Sequence, residues 1–215
     1  MKDPIGSHPT RAEQLDILVT IIAEMARPGD AILDLGCGTG YLEHLLLAAR
    51  NDIFPIGVDR NLDSLATAAA QFGTRAAFVR GDLTALDAIK PPRERCRFAV
   101  TALTFHDLSD VDKQAVLAWM AAQLEEDGVI LIYDRLRLTE PSLFAMQRAI
   151  WNRIERINGR AMRTAATFAA YEADLSETNR PARLCDYETW FEALGFGSQI
   201  LHLHGNVALI GAARR

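Results

Sequence analysis

The chain is poor in cysteine, and Cys37, Cys96 and Cys185 are widely spaced and odd in number. With no CxxC pair and no Cys/His cluster, the spacing supports neither a disulfide framework nor a zinc site. No apolar run approaches the roughly 20 residues that span a bilayer. The opening stretch, MKDPIGSHPTRAEQ, is polar and carries no hydrophobic segment of the signal-peptide kind. Positive charge is not in excess either, the formal net charge being −5. That tilts against a polyanionic partner, because nucleic-acid binding depends on neutralising phosphates with Lys and Arg. A reduced, soluble, cytoplasmic protein with no membrane partner is the expectation.

What is present is an ordinary globular balance, 49% hydrophobic and 24% charged over 215 residues. This length suits one α/β domain, 1–215, better than two. Apolar residues Leu15, Leu18, Ile22 and Met25 predict an N-terminal helix over 10–27, stopped by RPGD. AILDL, IFPIGVD, RAAFVRGDL, RFAVTAL and VILIYD read as five strands. Helices lie between most of them, with Asn61 and Ser109 as caps and Gly73 as a stop. The alternation predicts an open, doubly wound, mostly parallel sheet whose ligand crevice lies at the strand carboxyl ends. After the fifth strand it breaks. A helical insertion is expected over 138–180, carrying Trp151, Arg156, Arg163, Phe168 and Tyr171. Aromatics at helical spacing read first as core, although the segment is also the best candidate for a substrate lid. A helix capped by Asp186 follows, then two strands around Gly205-Asn206, a hairpin signal.

The stretch ILDLGCGTG places Gly36, Gly38 and Gly40 behind a strand that contains Asp34. The dinucleotide fingerprint is GxGxxG with a pyrophosphate on a helix N-terminus. Here the spacing is GxGxG, and a carboxylate beside the loop would repel pyrophosphate while suiting a cation. S-adenosylmethionine has no phosphate and carries a sulfonium and an ammonium. Asp59 ends the second strand, where it could accept from ribose hydroxyls, and Asp82 ends the third, where it could accept from an adenine amine. Three acids at three successive strand ends are harder to obtain by chance than one glycine loop.

These segments, with FAVTALTFHDLSD, GVILIYD and the terminal LGFGSQILHLHGNVALIGAAR, resemble the class I S-adenosylmethionine-dependent methyltransferases from Ile32 almost to the end of the chain. The resemblance implies a Rossmann-like, seven-stranded sheet with an antiparallel last strand, and S-adenosylmethionine as cofactor. It implies a cofactor set of Asp34, Gly36, Cys37, Gly38, Gly40, Asp59, Arg60, Asp82, Leu83, Thr101 and Ala102. The stretches ETNRPARLCDYETWFEALGF and LHGNVALIGA are similar to the ends of small bacterial methyltransferases of the ubiquinone-methylase-like and carboxy-S-adenosylmethionine-synthase-like groups, whose substrates vary.

Methyl transfer is an in-line displacement at an activated carbon, so alignment and water exclusion are the protein's main tasks. A base helps where the acceptor is a hydroxyl or an ammonium. His106, in LTFHDL just past the fourth strand, is the candidate for base or substrate-orienting residue. The alternative is that it caps the next helix or shapes the adenosine pocket. Asp107 and Asp134 border the same end of the sheet but lack the Asp-Asn pair of catechol-type methylases, so no metal is expected. Tyr41 could lie over the methionine arm or pack beneath the N-terminal helix, and His202 and His204 read as structural or exposed. There is no Asn/Asp-Pro-Pro-aromatic motif, no Pro-Cys dipeptide and no paired-glutamate loop. With the acidic balance, these absences point to methylation of O, N or C on a small-molecule acceptor. The alternatives are a carboxy-S-adenosylmethionine-synthase-like reaction and an RNA-directed protein of the same fold.

Overall fold

The computed structural model describes residues 10–159 and 164–215. Arg163 and the first residues of the expected second insertion helix lie outside the described residues, as do residues 1–9 of the polar opening stretch. Helix α1 (Arg11–Met25) buries Leu15, Leu18, Val19 and Ile22 on one face. Gln14 Nε2 donates to the Val207 carbonyl at 3.0 Å and fastens this helix over the sheet. Strand β1 (Ala31–Leu35) runs through the glycine loop into α2 (Tyr41–Ala49). Strand β2 (Phe54–Asp59) leads to α3 (Leu62–Phe72), where the Asn61 side chain accepts from the Asp63 and Ser64 N–H groups. Strands β3 (Ala77–Arg80) and β4 (Cys96–Ala102) follow, then α4 (Asp110–Gln123), capped by Ser109, and β5 (Leu124–Arg135).

Beyond β5 come α5 (Phe144–Asn158), α6 (Phe168–Ala173), α7 (Leu184–Ala193), β6 (Phe196–His204) and β7 (Val207–Arg214). The seven strands form one sheet in the order β3-β2-β1-β4-β5-β7-β6. The pairs from β3 to β5 are parallel, and β7 runs antiparallel to both β5 and β6. The last strand is therefore antiparallel as expected, and β6 forms the edge. Residues Val207 to Ile210 of β7 are all buried, whereas β6 exposes Leu201 and Leu203, so the more apolar strand takes the inner place.

Alternate side chains of the strands enter two cores. Leu33, Ala99, Ile130 and Ile132 pack toward α4 and α7, while Ile32, Phe98, Leu131 and Tyr133 pack toward α1 and α2. Strand order reverses between β1 and β4, which opens a crevice at their carboxyl ends. The insertion has a small core of its own. Phe144, Trp151 and Ile154 gather Leu138, Phe168 and Tyr171, and Arg156 stays exposed. Trp151 Nε1 donates to Asn206 Oδ1 at 3.3 Å, tying the insertion to the β6–β7 turn.

One expected cap is displaced. Asp186 does not precede α7 but lies in its first turn, where Oδ2 accepts the Arg183 N–H at 2.9 Å. The carboxylate reaches back to a free N–H from within the helix, so α7 starts three residues earlier than an Asp186 cap requires.

Candidate active site

The glycine loop is pulled over the end of β2 by backbone bonds. Gly36 and Cys37 N–H groups both donate to the Val58 carbonyl, at 2.8 and 3.2 Å. The Gly38 N–H donates to Asp59 Oδ2 at 2.8 Å. Gly36 has φ 82°, and a Cβ there would fall 2.1 Å from Thr104 Oγ1, so only glycine lets the loop after β4 approach. Gly38 has φ 55°, and a Cβ there would meet nothing within 4 Å. That is the open side of the loop.

Beside the loop lies a cavity of about 390 Å³, in the range of roughly 300–1,000 Å³ usual for small-ligand sites. One wall is Gly36, Asp59, Arg60, Asp82 and Leu83, which the sequence named. The opposite wall is Thr104, Asp107, Leu108 and Asp112, from the loop after β4 and the start of α4. Glu177, Thr178 and Arg180, just before α7, form the third side. Those last residues sit in a stretch that sequence reasoning read as a plain polar loop. No local pattern in SETNRP marks it as a wall of the site.

The two acids on the first wall differ in their bonding. Asp59 Oδ1 accepts the Asn61 N–H at 2.8 Å while Oδ2 holds Gly38, which leaves lone pairs on both oxygens. Asp82 Oδ1 accepts from the Thr84 N–H and hydroxyl, and those bonds lower its carboxyl below the usual range. Its Oδ2 makes no hydrogen bond among the described residues.

Six of the named cofactor residues do not line the cavity, Gly38 on the open side of the loop among them. Asp34 is buried in β1, and its carboxyl is pushed up to about 7, first by burial and then by Asp59, against the pull of Arg11. Its neighbour Glu43 on α2 is buried and raised for the same reason, with Asp34 adding to the effect. The charge beside the loop therefore comes from Asp59 and the acids of the opposite wall more than from Asp34. Cys37 is buried, and a Cβ on Gly57 of β2 would fall 2.6 Å from its Sγ, which places the thiol beneath the loop. Gly40 backs onto α3, a Cβ there falling 2.7 Å from Phe72 Cε2. Thr101 is fully buried and donates to the Leu35 carbonyl at 3.0 Å, so it braces β4 against β1. Ala102 ends β4 without touching the cavity.

His106 lies in the turn after β4, buried behind the cavity wall. Ser109, not His106, caps α4. Asp134 at the end of β5 receives both the His106 N–H (2.8 Å to Oδ2) and the ring Nδ1 (2.6 Å to Oδ1). Leu103, just before this turn, is the non-glycine residue held at positive φ, 58°, among the described residues. Such strain survives where surrounding bonds over-determine it, and here the Leu103 N–H donates to the Tyr133 carbonyl at 2.8 Å. Lys113 is fully buried, and its Nζ donates to the Leu108 carbonyl (2.7 Å) and the Arg180 carbonyl (2.6 Å). One lysine thus ties two sides of the cavity together. Tyr41 is half-buried against the core beneath α1, the second of its expected placements. His204 pairs with Glu13 of α1 at 3.1 Å. No helix among the described residues is long and apolar enough to cross a membrane.

Residues 32–128 match the family of methyltransferase domains. An uncharacterized methyltransferase of Bacillus pumilus (strain SAFR-032) is 28% identical over 99% of this chain and 92% of its own length. With the sheet order, these matches make the chain similar to methyltransferases, over residues 32–128 by the family and over nearly its whole length by the relative. Two solved structures share the fold. The YcgJ protein of Bacillus subtilis has a TM-score of 0.63 at 13% identity, over 95% of this chain and 99% of its own. Magnesium protoporphyrin IX methyltransferase of Synechocystis PCC 6803, solved with bound SAH, has a TM-score of 0.65 at 14% identity, over 100% of this chain and 90% of its own.

Proposed function

We propose that this enzyme transfers a methyl group from S-adenosylmethionine to an O, N or C atom of a small-molecule acceptor. The charge of the cavity carries the reading. Asp59, Asp82, Asp107, Asp112 and Glu177 face it, against the two guanidinium groups of Arg60 and Arg180. A concave site with an excess of carboxylates attracts a cationic donor and repels pyrophosphate, RNA and carboxylate acceptors. That weighs against both the RNA-directed and the carboxy-S-adenosylmethionine-synthase-like alternatives.

The bound donor supplies a methyl group already activated on a sulfonium. Asp59 braces the glycine loop through Gly38 and keeps lone pairs for the ribose hydroxyls. Asp82, with Oδ2 uncommitted among the described residues, would accept the adenine amine, and the Leu83 backbone would face the ring. Gly38 leaves the space that the methionine arm needs. The chain acts as one domain, and the insertion over 138–180 works as a lid, since its end reaches the cavity through Glu177 and Thr178.

Calorimetric titration with S-adenosylmethionine tests this reading. Wild-type protein binds it, and Asp59→Ala weakens binding about 10- to 100-fold, as loss of a charged acceptor of roughly 1.5–3 kcal/mol implies. Unchanged affinity in the variant would remove Asp59 from the cofactor contacts. Binding of NAD in its place would overturn the reading altogether.

A further inference from the structure

Glu43 stands in the first turn of α2 and is fully buried, facing the buried Asp34 of β1. Gly57 of β2 makes the room for it. A Cβ there would fall 2.8 Å from Glu43 Oε1 and 2.6 Å from Cys37 Sγ, so the carboxyl lies beside the thiol beneath the glycine loop. Among the described residues no other group donates a hydrogen bond to Glu43 Oε1, Glu43 Oε2 or Asp34 Oδ1. Ionised carboxylates only accept, so two of them buried together without a donor repel and stay unsatisfied. One proton on the pair removes both penalties, because the protonated carboxyl donates to the other. Burial and the facing Asp34 hold the Glu43 carboxyl well above its usual range, against the pull of its own backbone N–H. The other charged or titratable groups around the pair are Asp59 at the end of β2, Arg11 of α1 and the Cys37 thiol. Asp59 favours the proton, Arg11 opposes it at Asp34, and burial keeps the thiol protonated.

We propose that Glu43, through the proton it shares with Asp34, sets the enzyme's preference for the methyl donor over the demethylated product. This rests on the methyl-transfer reading above and deepens it. S-adenosylmethionine and S-adenosylhomocysteine differ by one methyl group and one charge, that of the sulfonium. The methionine arm lies on the open side of the loop, and the carboxyl pair lies beneath it. A cation seated above the loop favours the ionised pair, so the shared proton leaves to water as the donor binds. The field acts through protein, where charges interact more strongly at a given distance than in water. The neutral thioether of the product gives no such compensation, and the pair keeps its proton. Donor affinity therefore rises with pH wherever the free pair is protonated and the bound pair is not, while product affinity stays level. When the methyl carbon bonds to the acceptor, the electrons of the broken carbon–sulfur bond stay on sulfur. The positive charge is gone from that atom, and the carboxyls regain a proton from water. The hold on product is thereby weakened relative to the hold on donor.

Calorimetric titration in buffers of different ionisation enthalpy counts the protons released. Work at about pH 6 to 7 stays below the value near 8 at which the ligands' own amino group titrates. Wild type is expected to release a substantial fraction of a proton with S-adenosylmethionine and close to none with S-adenosylhomocysteine. Its donor-to-product affinity ratio should rise about 3- to 10-fold from pH 6 to pH 7, tenfold being the limit for one proton. Infrared difference spectra, donor-bound minus free, should show loss of a protonated carboxylic acid band. In Glu43→Gln the amide N–H supplies the hydrogen bond that the proton gave. The proton release and the lost band should disappear there, and the affinity ratio should become flat with pH. No release with the donor, equal release with both ligands, or release that persists in Glu43→Gln overturns the proposal and leaves methyl transfer standing. Failure of wild type to bind either ligand overturns the underlying reading, and this inference with it. If Glu43→Gln does not fold, the wild-type proton counts and infrared spectra decide.

Discussion

Replacing Lys113 with methionine would cut the tie between two sides of the cavity. The lysine is fully buried in the first turn of α4, and its Nζ donates to Leu108, to Arg180 and, at 3.0 Å, to Asp110. The Asp110 side chain is 61% exposed, so that pair adds little. The cost comes from the two carbonyls left without their donor, each worth roughly 1–3 kcal/mol. Methionine fills similar space and needs no ammonium desolvated, which offsets part of the loss. The net expectation is a destabilisation of about 2–4 kcal/mol. For a chain of this size 1 kcal/mol moves Tm by roughly 2–4 °C, so Tm should fall by about 4–16 °C. Donor affinity should fall as well, because Leu108 and Arg180 lie on separate sides of the cavity. Urea unfolding followed by circular dichroism, with calorimetric titration of the folded variant, checks both. A variant within 0.5 kcal/mol of wild type and with unchanged donor affinity would refute the inference that Lys113 holds the cavity together.

Asp34 makes stability depend on pH. Its carboxyl titrates near 7 in the fold, against roughly 4 in the unfolded chain. Between those values the folded state holds the extra proton, so this group's contribution falls as pH rises from about 4 to about 7 and stays low above. Asp34→Asn removes that titration, and its stability relative to wild type should rise across the same window. Thermal melts at several pH values check this, and a difference that does not vary with pH would count against a buried, ionising Asp34. The two loop glycines should separate by mechanism. Gly36→Ala drives a methyl into Thr104 and should lose several degrees of Tm beyond the strain of about 1–2 kcal/mol that positive φ imposes. Gly38→Ala carries the strain without the collision and should mainly weaken donor binding. Melts and titrations giving the reverse order would show that the open side of the loop has been misplaced.

Much of this was legible in sequence because its signals are local. Cap residues Asn61 and Ser109 satisfy N–H groups two or three positions away, and apolar periodicity marks α1 before any tertiary contact forms. Asp59 and Asp82 were found as acids at strand ends, and the doubly wound alternation alone placed those ends along one crevice. Asp34 shows what that alternation leaves out. Alternation along a strand sets which face a residue takes, but not what covers that face. In the fold α1 and α2 cover it, and burial raises the carboxyl that the sequence showed only as an acid beside glycines.

The fold class and the acids that line the cavity were thus legible in the sequence alone, since they follow from element order and from residues at strand ends. The tertiary structure decided which groups face one another across the sheet. His106 and Asp134 are 28 residues apart and meet because β4 and β5 are adjacent. Lys113 reaches Arg180, 67 residues on, because the segment before α7 folds back over α4. Distances of that kind depend on packing, to which spacing along the chain is blind.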